Sequence, residues 1–211
     1  MDVRAPGVPV LAPAPHPPPG GRIGPNAVTR TAEVLERALG RARTAGLFAR
    51  AGLREALEHP PGDMVREEAV TRLFRTVHEE LGGELARNLL REAGRRTGDY
   101  LLRRRIPRPA RILLRCLPPR PAARLLVAAI GRHSWTFAGS GRFRARGSGP
   151  VTLAVSGCPL CRGMHSPHPQ CDYYAACFER IFRALVHSRS IVTETTCQAS
   201  GSDACRFEVA W

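Results

Sequence analysis

Six of the seven cysteines in this 211-residue chain lie between residues 158 and 205, which constrains the fold of its last third. Residues Met1 to Gly21 contain no apolar core of a secretory signal, and the longest apolar runs, such as Leu125 to Ile130, are too short to span a bilayer. We therefore expect a cytoplasmic protein without a transmembrane segment, whose thiols stay reduced. Clustered cysteines in such a protein indicate a metal site before disulfides.

The first candidate metal site consists of Cys171, Glu194, Cys197 and Cys205. Glu194 and Cys197 end one predicted strand and Cys205 opens the next, so a hairpin can bring the three together. Cys171 begins the preceding predicted helix, where the helix dipole favours a thiolate. Three thiolates and one carboxylate suit a tetrahedral structural zinc ion, and the adjacent Arg206 can offset the excess negative charge. The alternative, three buried strand residues without a metal, leaves a costly unpaired carboxylate.

A second candidate site uses the Cys158-x-x-Cys161 pair with His165 and His168, which follow closely in the sequence. These four residues can form a separate zinc knuckle, or they can lend a ligand to the first site. The structural alternative for the pair is two small residues in a loop. For the histidines it is a solvated turn rich in serine and proline.

Hydrophobic periodicity predicts an α+β fold with a helical first half and a sheet-plus-helix second half. One predicted helix begins at the N-cap Asn26, a second runs from Leu47 to Leu57, and a third begins at the cap Asp63. A fourth runs from Leu85 to the arginines at 103–105. Three more are predicted at 108–117, 120–132 and 171–187. Alternation predicts a hairpin through Trp135, Phe137 and Phe143, and strands at 151–155, 191–197 and 204–209.

The predicted domain organisation is a proline-rich disordered tail at residues 1–21 and a single domain at 22–211. Within the domain, residues 22–133 form the helical part, and residues 134–211 form the sheet-plus-helix part that carries the metal site. Nothing between the two parts has the composition of a flexible linker.

All 32 basic residues are arginine, and the net charge is +14. A chain selected to bind phosphates usually combines lysine with arginine, whereas this bias is typical of GC-rich codons. With no nucleic-acid motif present, we expect no nucleic-acid partner. A solvated arginine surface and an attraction to anionic ligands or to an anionic membrane face both remain open.

The metal-site motifs also resemble a known family. Cys171 with Tyr173-Tyr174, Glu194-x-x-Cys197 and Gly201-x-Asp203-x-Cys205-x-Phe207 resemble the 4-vinyl reductase domain over roughly the last third of the chain. That domain is similar to the sensor module of aromatic-responsive bacterial activators, in which one Cys, one Glu and two further Cys at this spacing hold zinc. The resemblance implies the same role for Cys171, Glu194, Cys197 and Cys205, and Cys158 and Cys161 lie outside its pattern.

Two further segments, residues 22–27 and 133–141, resemble the bacteriochlorophyll biosynthesis J family of bacteriochlorophyll 4-vinyl reductases. The resemblance then covers nearly everything after the tail. It implies a role in bacteriochlorophyll biosynthesis, a divinyl (proto)chlorophyllide-type tetrapyrrole as ligand, reduction of its 8-vinyl group, and a homodimer formed through the N-terminal helices.

Reduction of a vinyl group requires two electrons and two protons, and the sequence contains no motif for their source. No GxGxxG follows a strand, since Arg144 stands where the third glycine after Gly139-Ser140-Gly141 would be, so no motif supports NADPH. Zinc is redox-inert. We therefore favour a substrate carrier that presents the pigment to a separate reductase. The alternatives are that the chain is itself the 8-vinyl reductase, or that it is a sensor module for a small aromatic ligand.

A flat pigment needs an apolar, aromatic binding site. The candidate ligand-binding residues are His133, Trp135, Phe137, Phe143, Tyr173 and Tyr174. The histidine is a candidate ligand for the magnesium of the pigment, and the aromatic rings are candidates for stacking. Ordinary core packing of the rings and a solvated histidine are the structural alternatives. No catalytic residue is assigned.

Overall fold

The computed structural model describes residues 20–147 and 150–211, and it confirms the α+β class predicted from the sequence. The helices are α1 (Asn26–Leu39), α2 (Arg41–Arg50), α3 (Glu55–Glu58), α4 (Glu67–Leu81), α5 (Gly83–Arg104), α6 (Arg108–Cys116), α7 (Pro119–Arg132), α8 (Trp135–Ala138) and α9 (Asp172–Leu185). The strands are β1 (Arg22–Ile23), β2 (Val65–Arg66), β3 (Arg142–Arg146), β4 (Val151–Ser156), β5 (Ile191–Thr196) and β6 (Cys205–Ala210). No helix in the described ranges is long and apolar enough to cross a membrane.

The main sheet has the strand order β3-β4-β6-β5, and every neighbouring pair is antiparallel. Alternation gives β4 a buried face of Val151, Leu153 and Val155, because successive side chains point to opposite faces of a strand. The register pairs Val155 with Cys205 at the start of β6. The loop that follows β4 is therefore held beside the first residue of β6, although almost fifty residues separate them in the chain.

Helix α5 of the helical part packs along α9 of the sheet part at short distance because two glycines face the contact. A Cβ atom at Gly94 would lie 2.0 Å from the carbonyl oxygen of Tyr173, and one at Gly98 would lie 2.8 Å from the Cβ of Arg180. A glycine in a helix costs stability through its greater backbone freedom in the unfolded state. Here the cost is offset by a close approach that fixes the first turn of α9, directly after Cys171.

A buried carboxylate connects the helical part to two loops of the sheet part. Glu67, 2% exposed, accepts a hydrogen bond from the Ser140 N–H at 2.7 Å, another from the Ser140 hydroxyl, and pairs with Arg162 at 2.6 Å. Although burial raises it, the hydrogen bonds from Ser140 and Arg162 lower the pKa of Glu67 below its ordinary value. Gly139 is required beside it, because a Cβ there would lie 1.9 Å from the carboxylate.

The predicted hairpin at residues 134–143 is wrong. Trp135 to Ala138 form the short helix α8, closed by the bond from the Ala138 N–H to the Ser134 carbonyl at 2.7 Å, and β3 pairs instead with β4. Gly139 then turns the chain with a φ of 58°, a conformation that favours glycine. Aromatic residues two positions apart are therefore compatible with one helical turn as well as with a strand.

Three helix boundaries also differ from the prediction. Asp63 does not cap α4, because the chain first forms β2 and the helix begins at Glu67. Asn26 is the first residue of α1 but makes no capping hydrogen bond. The helix predicted from Leu47 to Leu57 is interrupted after α2 by Gly52, whose φ is 71°.

The predicted tail at residues 1–21 lies almost entirely outside the described residues, which begin at Gly20. The carbonyl of Gly21 accepts a hydrogen bond from the Glu67 N–H at 2.9 Å, directly before β1 pairs with β2. Contacts with the domain therefore begin one residue before the boundary predicted at Arg22.

The glycine contact predicts opposite effects of the same substitution in two helices. Gly94→Ala should lower the free energy of unfolding by about 1–3 kcal/mol, because the added methyl group overpacks the α5–α9 contact. Gly46→Ala in α2 should raise it by about 0.5–1 kcal/mol, since nothing lies within 4 Å of its new Cβ and alanine favours a helix. Urea unfolding of both variants measures the difference, and equal effects would contradict the close approach.

Candidate metal centre

The four residues of the first predicted site converge in the structure. Cys171 precedes α9, Glu194 lies in β5, Cys197 follows β5 and Cys205 opens β6. Their ligand atoms all lie within 4.8 Å of one another. The three cysteines are fully buried, so these thiols are shielded from water. The antiparallel pairing of β5 and β6 brings Glu194, Cys197 and Cys205 together. Helix α9 packs against β5, which places Cys171 beside them.

The Cys158-x-x-Cys161 pair belongs to the same cluster. The sulfur of Cys158 lies 3.6 Å from that of Cys171, and the sulfur of Cys161 lies 3.4 Å from that of Cys205. These four thiols form a second set whose sulfurs all lie within 4.8 Å of one another, and all four are buried. Of the two roles predicted for the pair, the geometry agrees with lending ligands to the first site.

His165 and His168 do not join either set of possible ligands in the described chain. Both side chains are exposed, and the His168 N–H donates to the Ser166 hydroxyl at 3.1 Å within the loop. Gln170 donates to the same hydroxyl at 2.9 Å. The histidines therefore lie in a solvated turn, which was the structural alternative for them, and the separate knuckle with Cys158 and Cys161 is not assembled.

Glu194 has one oxygen satisfied and one without a partner. Its Oε2 accepts a hydrogen bond from the Cys171 N–H at 2.7 Å, while its Oε1 is buried and has no hydrogen-bond partner. Burial raises the pKa of Glu194 to about 9, and the neighbouring Cys197 adds to the shift. A buried oxygen without a partner costs free energy, and a cation held among the adjacent sulfurs would satisfy it. The residues present therefore fit a metal ion.

The thiols of the cluster affect one another's ionisation strongly. Contacts with Cys158, Cys161 and Cys197 raise the pKa values of Cys171 and Cys205 well above the ordinary thiol range. Cys161 opposes ionisation of Cys197, but hydrogen bonds from the Cys171 and Cys205 thiols outweigh it and lower the pKa of Cys197 to about 6. In the absence of a cation, the cluster can therefore carry only part of its possible negative charge.

Arg206 does not supply the charge compensation expected of it. Its guanidinium forms two hydrogen bonds to the Asp203 carboxylate, at 2.7 and 2.8 Å, and a longer one to the Thr196 hydroxyl. This pairing holds the loop between β5 and β6 in place. Arg206 is therefore paired with Asp203 rather than with the thiol cluster.

The candidate ligand-binding aromatics divide between the core and the surface. Phe137, Phe143 and Tyr174 form an aromatic cluster with Phe178 and Phe207, with ring centroids 5.4 to 6.5 Å apart. The Tyr174 hydroxyl donates to the Phe137 carbonyl at 2.6 Å. These contacts are core packing, the structural alternative for the rings, and only the partly buried Phe137 and Phe143 retain access to the surface.

The remaining three candidates lie around this aromatic cluster. Tyr173 is buried, and its hydroxyl lies 2.7 Å from that of Thr97 in α5. Trp135, at the start of α8, is 45% exposed. His133 is exposed, with its Nδ1 2.9 Å from the Ala129 carbonyl at the end of α7. Trp135 and His133 therefore lie on one surface segment with the aromatic cluster beneath it.

Comparison with known proteins gives a domain match and full-length relatives. A V4R domain matches residues 151–210, which confirms the resemblance to the 4-vinyl reductase domain family. The bacteriochlorophyll synthase 23 kDa chain of Cereibacter sphaeroides is 42% identical over 188 residues, covering 89% of this chain and 90% of that protein. The protein of the same name from Rhodobacter capsulatus is 41% identical over 189 residues, covering 88% and 85%.

Solved structures with a similar fold are H-NOX proteins. An Fe(II) unliganded H-NOX protein from K. algicida aligns with a TM-score of 0.58 at 10% identity, covering 89% of this chain and 95% of that one. A structure from a study of heme distortion in the H-NOX family aligns with a TM-score of 0.56 at 14% identity, covering 89% and 93%. At these identities the likeness establishes the fold alone.

The thiol cluster predicts a metal requirement for folding. Purified protein should contain zinc, and Cys205→Ser should lose it, because Cys205 contributes to both sets of possible ligands. The control is Cys177→Ser, which changes a buried thiol of α9 outside both sets. Elemental analysis measures the metal, and circular dichroism should show loss of ordered structure in the C-terminal part only in the first variant. Full zinc retention by Cys205→Ser would contradict the site.

Proposed function

This chain belongs to the bacteriochlorophyll synthase 23 kDa chain family, and from that premise we propose that it carries a tetrapyrrole substrate of that pathway. Membership gives it a role in bacteriochlorophyll biosynthesis. In our proposal, the chain binds a divinyl (proto)chlorophyllide-type pigment and presents it to a separate enzyme that reduces the 8-vinyl group. The metal, zinc in this proposal, has a structural role, and the chain contributes binding and orientation rather than electrons.

The observation that carries this proposal is the closure of the metal centre. All five cysteines of the cluster are at most 1% exposed, and the free Glu194 oxygen is also buried. A metal ion ligated there by protein groups alone has no open position for a substrate, which is typical of structural sites. Zinc also supplies no electrons, so a reductase role would require a hydride or electron source elsewhere.

The fold supports a tetrapyrrole as the ligand. The H-NOX structures of similar fold include one from a study of heme distortion, and heme, like chlorophyllide, is a flat tetrapyrrole. Here the aromatic cluster reaches the surface at Phe137, close in sequence to the exposed Trp135. These rings offer an apolar surface for such a pigment. Because the Nδ1 of His133 bonds the Ala129 carbonyl, Nε2 is the nitrogen available to ligate the pigment's magnesium.

A positively charged surface supports a location at the membrane face. Residues 100–171 contain thirteen arginines and no acidic residue. The same segment carries four exposed large apolar side chains, Ile112, Leu113, Leu125 and Trp135, on α6, α7 and α8. Arginine with exposed apolar side chains is typical of helices that lie on anionic lipid, whereas nucleic-acid binding does not require the apolar groups. We assign anionic lipid as the partner of this surface.

The carrier proposal predicts pigment binding without turnover. Purified protein with divinyl chlorophyllide should shift the pigment absorbance and leave the vinyl group unreduced, with or without NADPH. Trp135→Ala should weaken binding several-fold, because a lost stacking contact costs about 1 kcal/mol or more. Trp211→Ala is the matched control, since Trp211 is 39% exposed at the chain end and should bind as the unchanged protein does. Conversion of the pigment by the purified chain would instead establish the reductase.

The membrane surface gives a separate prediction. The protein should co-sediment with vesicles that contain phosphatidylglycerol and not with phosphatidylcholine vesicles, and added salt should release it. Ile112→Ser with Leu113→Ser should reduce binding several-fold without loss of stability, since both side chains are largely exposed. The control Ile191→Ser should leave vesicle binding unchanged, because Ile191 lies on β5, outside the arginine-rich segment, and is 53% exposed. Equal binding to both vesicle types, or binding to RNA in competition with vesicles, would contradict the assignment.

A further inference from the structure

The thiol cluster holds more ligands than one tetrahedral metal ion can use. Five sulfurs and one carboxylate oxygen divide into two four-membered sets, one with Cys158 and Cys161 and the other with Glu194 and Cys197. Both sets include Cys171 and Cys205. The two shared sulfurs lie 3.6 Å apart. The cluster therefore contains two possible four-ligand sites that share the sulfurs of Cys171 and Cys205.

The separations between the sulfurs fit this arrangement. For tetrahedral zinc with a metal–sulfur bond of about 2.3 Å, ligand sulfurs lie about 3.8 Å apart. The sulfur of Cys158 lies 3.6 Å from Cys171, while those of Cys161 and Cys197 lie 3.4 and 3.8 Å from Cys205. These sulfur–sulfur separations are thus close to the edge length of a tetrahedral site for one ion.

We propose that the cluster binds two thiophilic divalent metal ions, with the thiolates of Cys171 and Cys205 bridging them. Cys158 and Cys161 are the terminal ligands of one ion, and Glu194 and Cys197 are the terminal ligands of the other. This inference rests on the proposed metal site and adds a second ion to the single zinc expected from the sequence. The preferred ions are Zn²⁺ and its thiolate-binding analogues Cd²⁺ and Co²⁺.

Charge does not oppose the second ion. A divalent ion with three thiolates and the Glu194 carboxylate has a net charge of −2. A second divalent ion adds +2 and the Cys158 and Cys161 thiolates add −2, so the centre again has a net charge of −2. A second ion with these two thiolates therefore adds no net buried charge to the centre.

Backbone groups hold the bridging and terminal ligands in place from outside the cluster. The Gln198 N–H lies 3.5 Å from the bridging sulfur of Cys205 and is directed towards it. The side chain of Gln198 accepts a hydrogen bond from the Cys158 N–H at 2.7 Å. One residue thus connects the loop of the Cys158-x-x-Cys161 pair to the turn after β5. Such outer contacts orient metal ligands and preserve their geometry.

Metal counting tests the proposal directly. The full-length protein, reconstituted with Zn²⁺ under anaerobic conditions, should show two zinc ions per chain by native mass spectrometry. The Cys158→Ser and Cys161→Ser double variant should retain one ion and its fold, and Cys177→Ser should retain two. One ion in the unchanged protein, unaffected by the double variant, would overturn the second ion and leave the first site intact. No bound ion in the unchanged protein would overturn both.

Bridging has its own signature, which does not depend on any variant folding. With two equivalents of ¹¹³Cd²⁺, the unchanged protein should give two cadmium resonances that are coupled to each other through the shared sulfurs. With Co²⁺, the electron paramagnetic signal should grow up to one equivalent and weaken up to two, because the paired ions couple magnetically. Two uncoupled cadmium resonances, or a cobalt signal that keeps growing, would overturn the bridge.

Discussion

Electrostatic repulsion within the thiol cluster is the constraint on which the C-terminal part depends. Five thiols and the Glu194 carboxylate occupy one small volume, and one oxygen of that carboxylate is buried without a hydrogen-bond partner. Without a cation these groups cannot all ionise, and burying the unpaired Glu194 oxygen costs free energy of folding. Bound metal would join the loop after β4, the start of α9 and the β5–β6 turn, three segments that are distant in sequence.

The helical part contributes to the same centre from its other side. Gly94 and Gly98 bring α5 against the first turns of α9, and α9 begins directly after Cys171. Glu67 at the start of α4 holds Arg162, the residue that follows Cys161. Helices α5 and α4 thus position the segments of Cys171 and Cys161, although neither helix contributes a candidate metal ligand. The helical part therefore contacts the metal centre's surroundings, although the family domain covers only residues 151–210.

The sequence predicted the local parts of this arrangement and left the parts that depend on strand order undecided. Glu194, Cys197 and Cys205 lie on one hairpin, so their proximity follows from alternation and loop length. Cys158 and Cys161 join them only because β4 lies beside β6, a pairing of distant segments that periodicity does not encode. The close approach at Gly94 likewise depends on a neighbour that the helix pattern does not identify. The hairpin predicted around Gly139 failed for the opposite reason, because a single helical turn reproduces the short aromatic pattern of a strand.

Helix α9 connects the candidate metal centre to the aromatic cluster. Tyr174 lies one turn after Cys171, packs on Phe178 and Phe207, and bonds the carbonyl of Phe137 in α8. A metal ion that fixes the start of α9 would therefore also fix the buried aromatic residues that pack beneath Phe137 and the exposed Trp135. In the carrier we propose, pigment binding requires this rigid aromatic surface, since ordering it only upon binding would cost conformational entropy. In that proposal, a metal ion closed off by protein ligands would act on the pigment only through the position of α9.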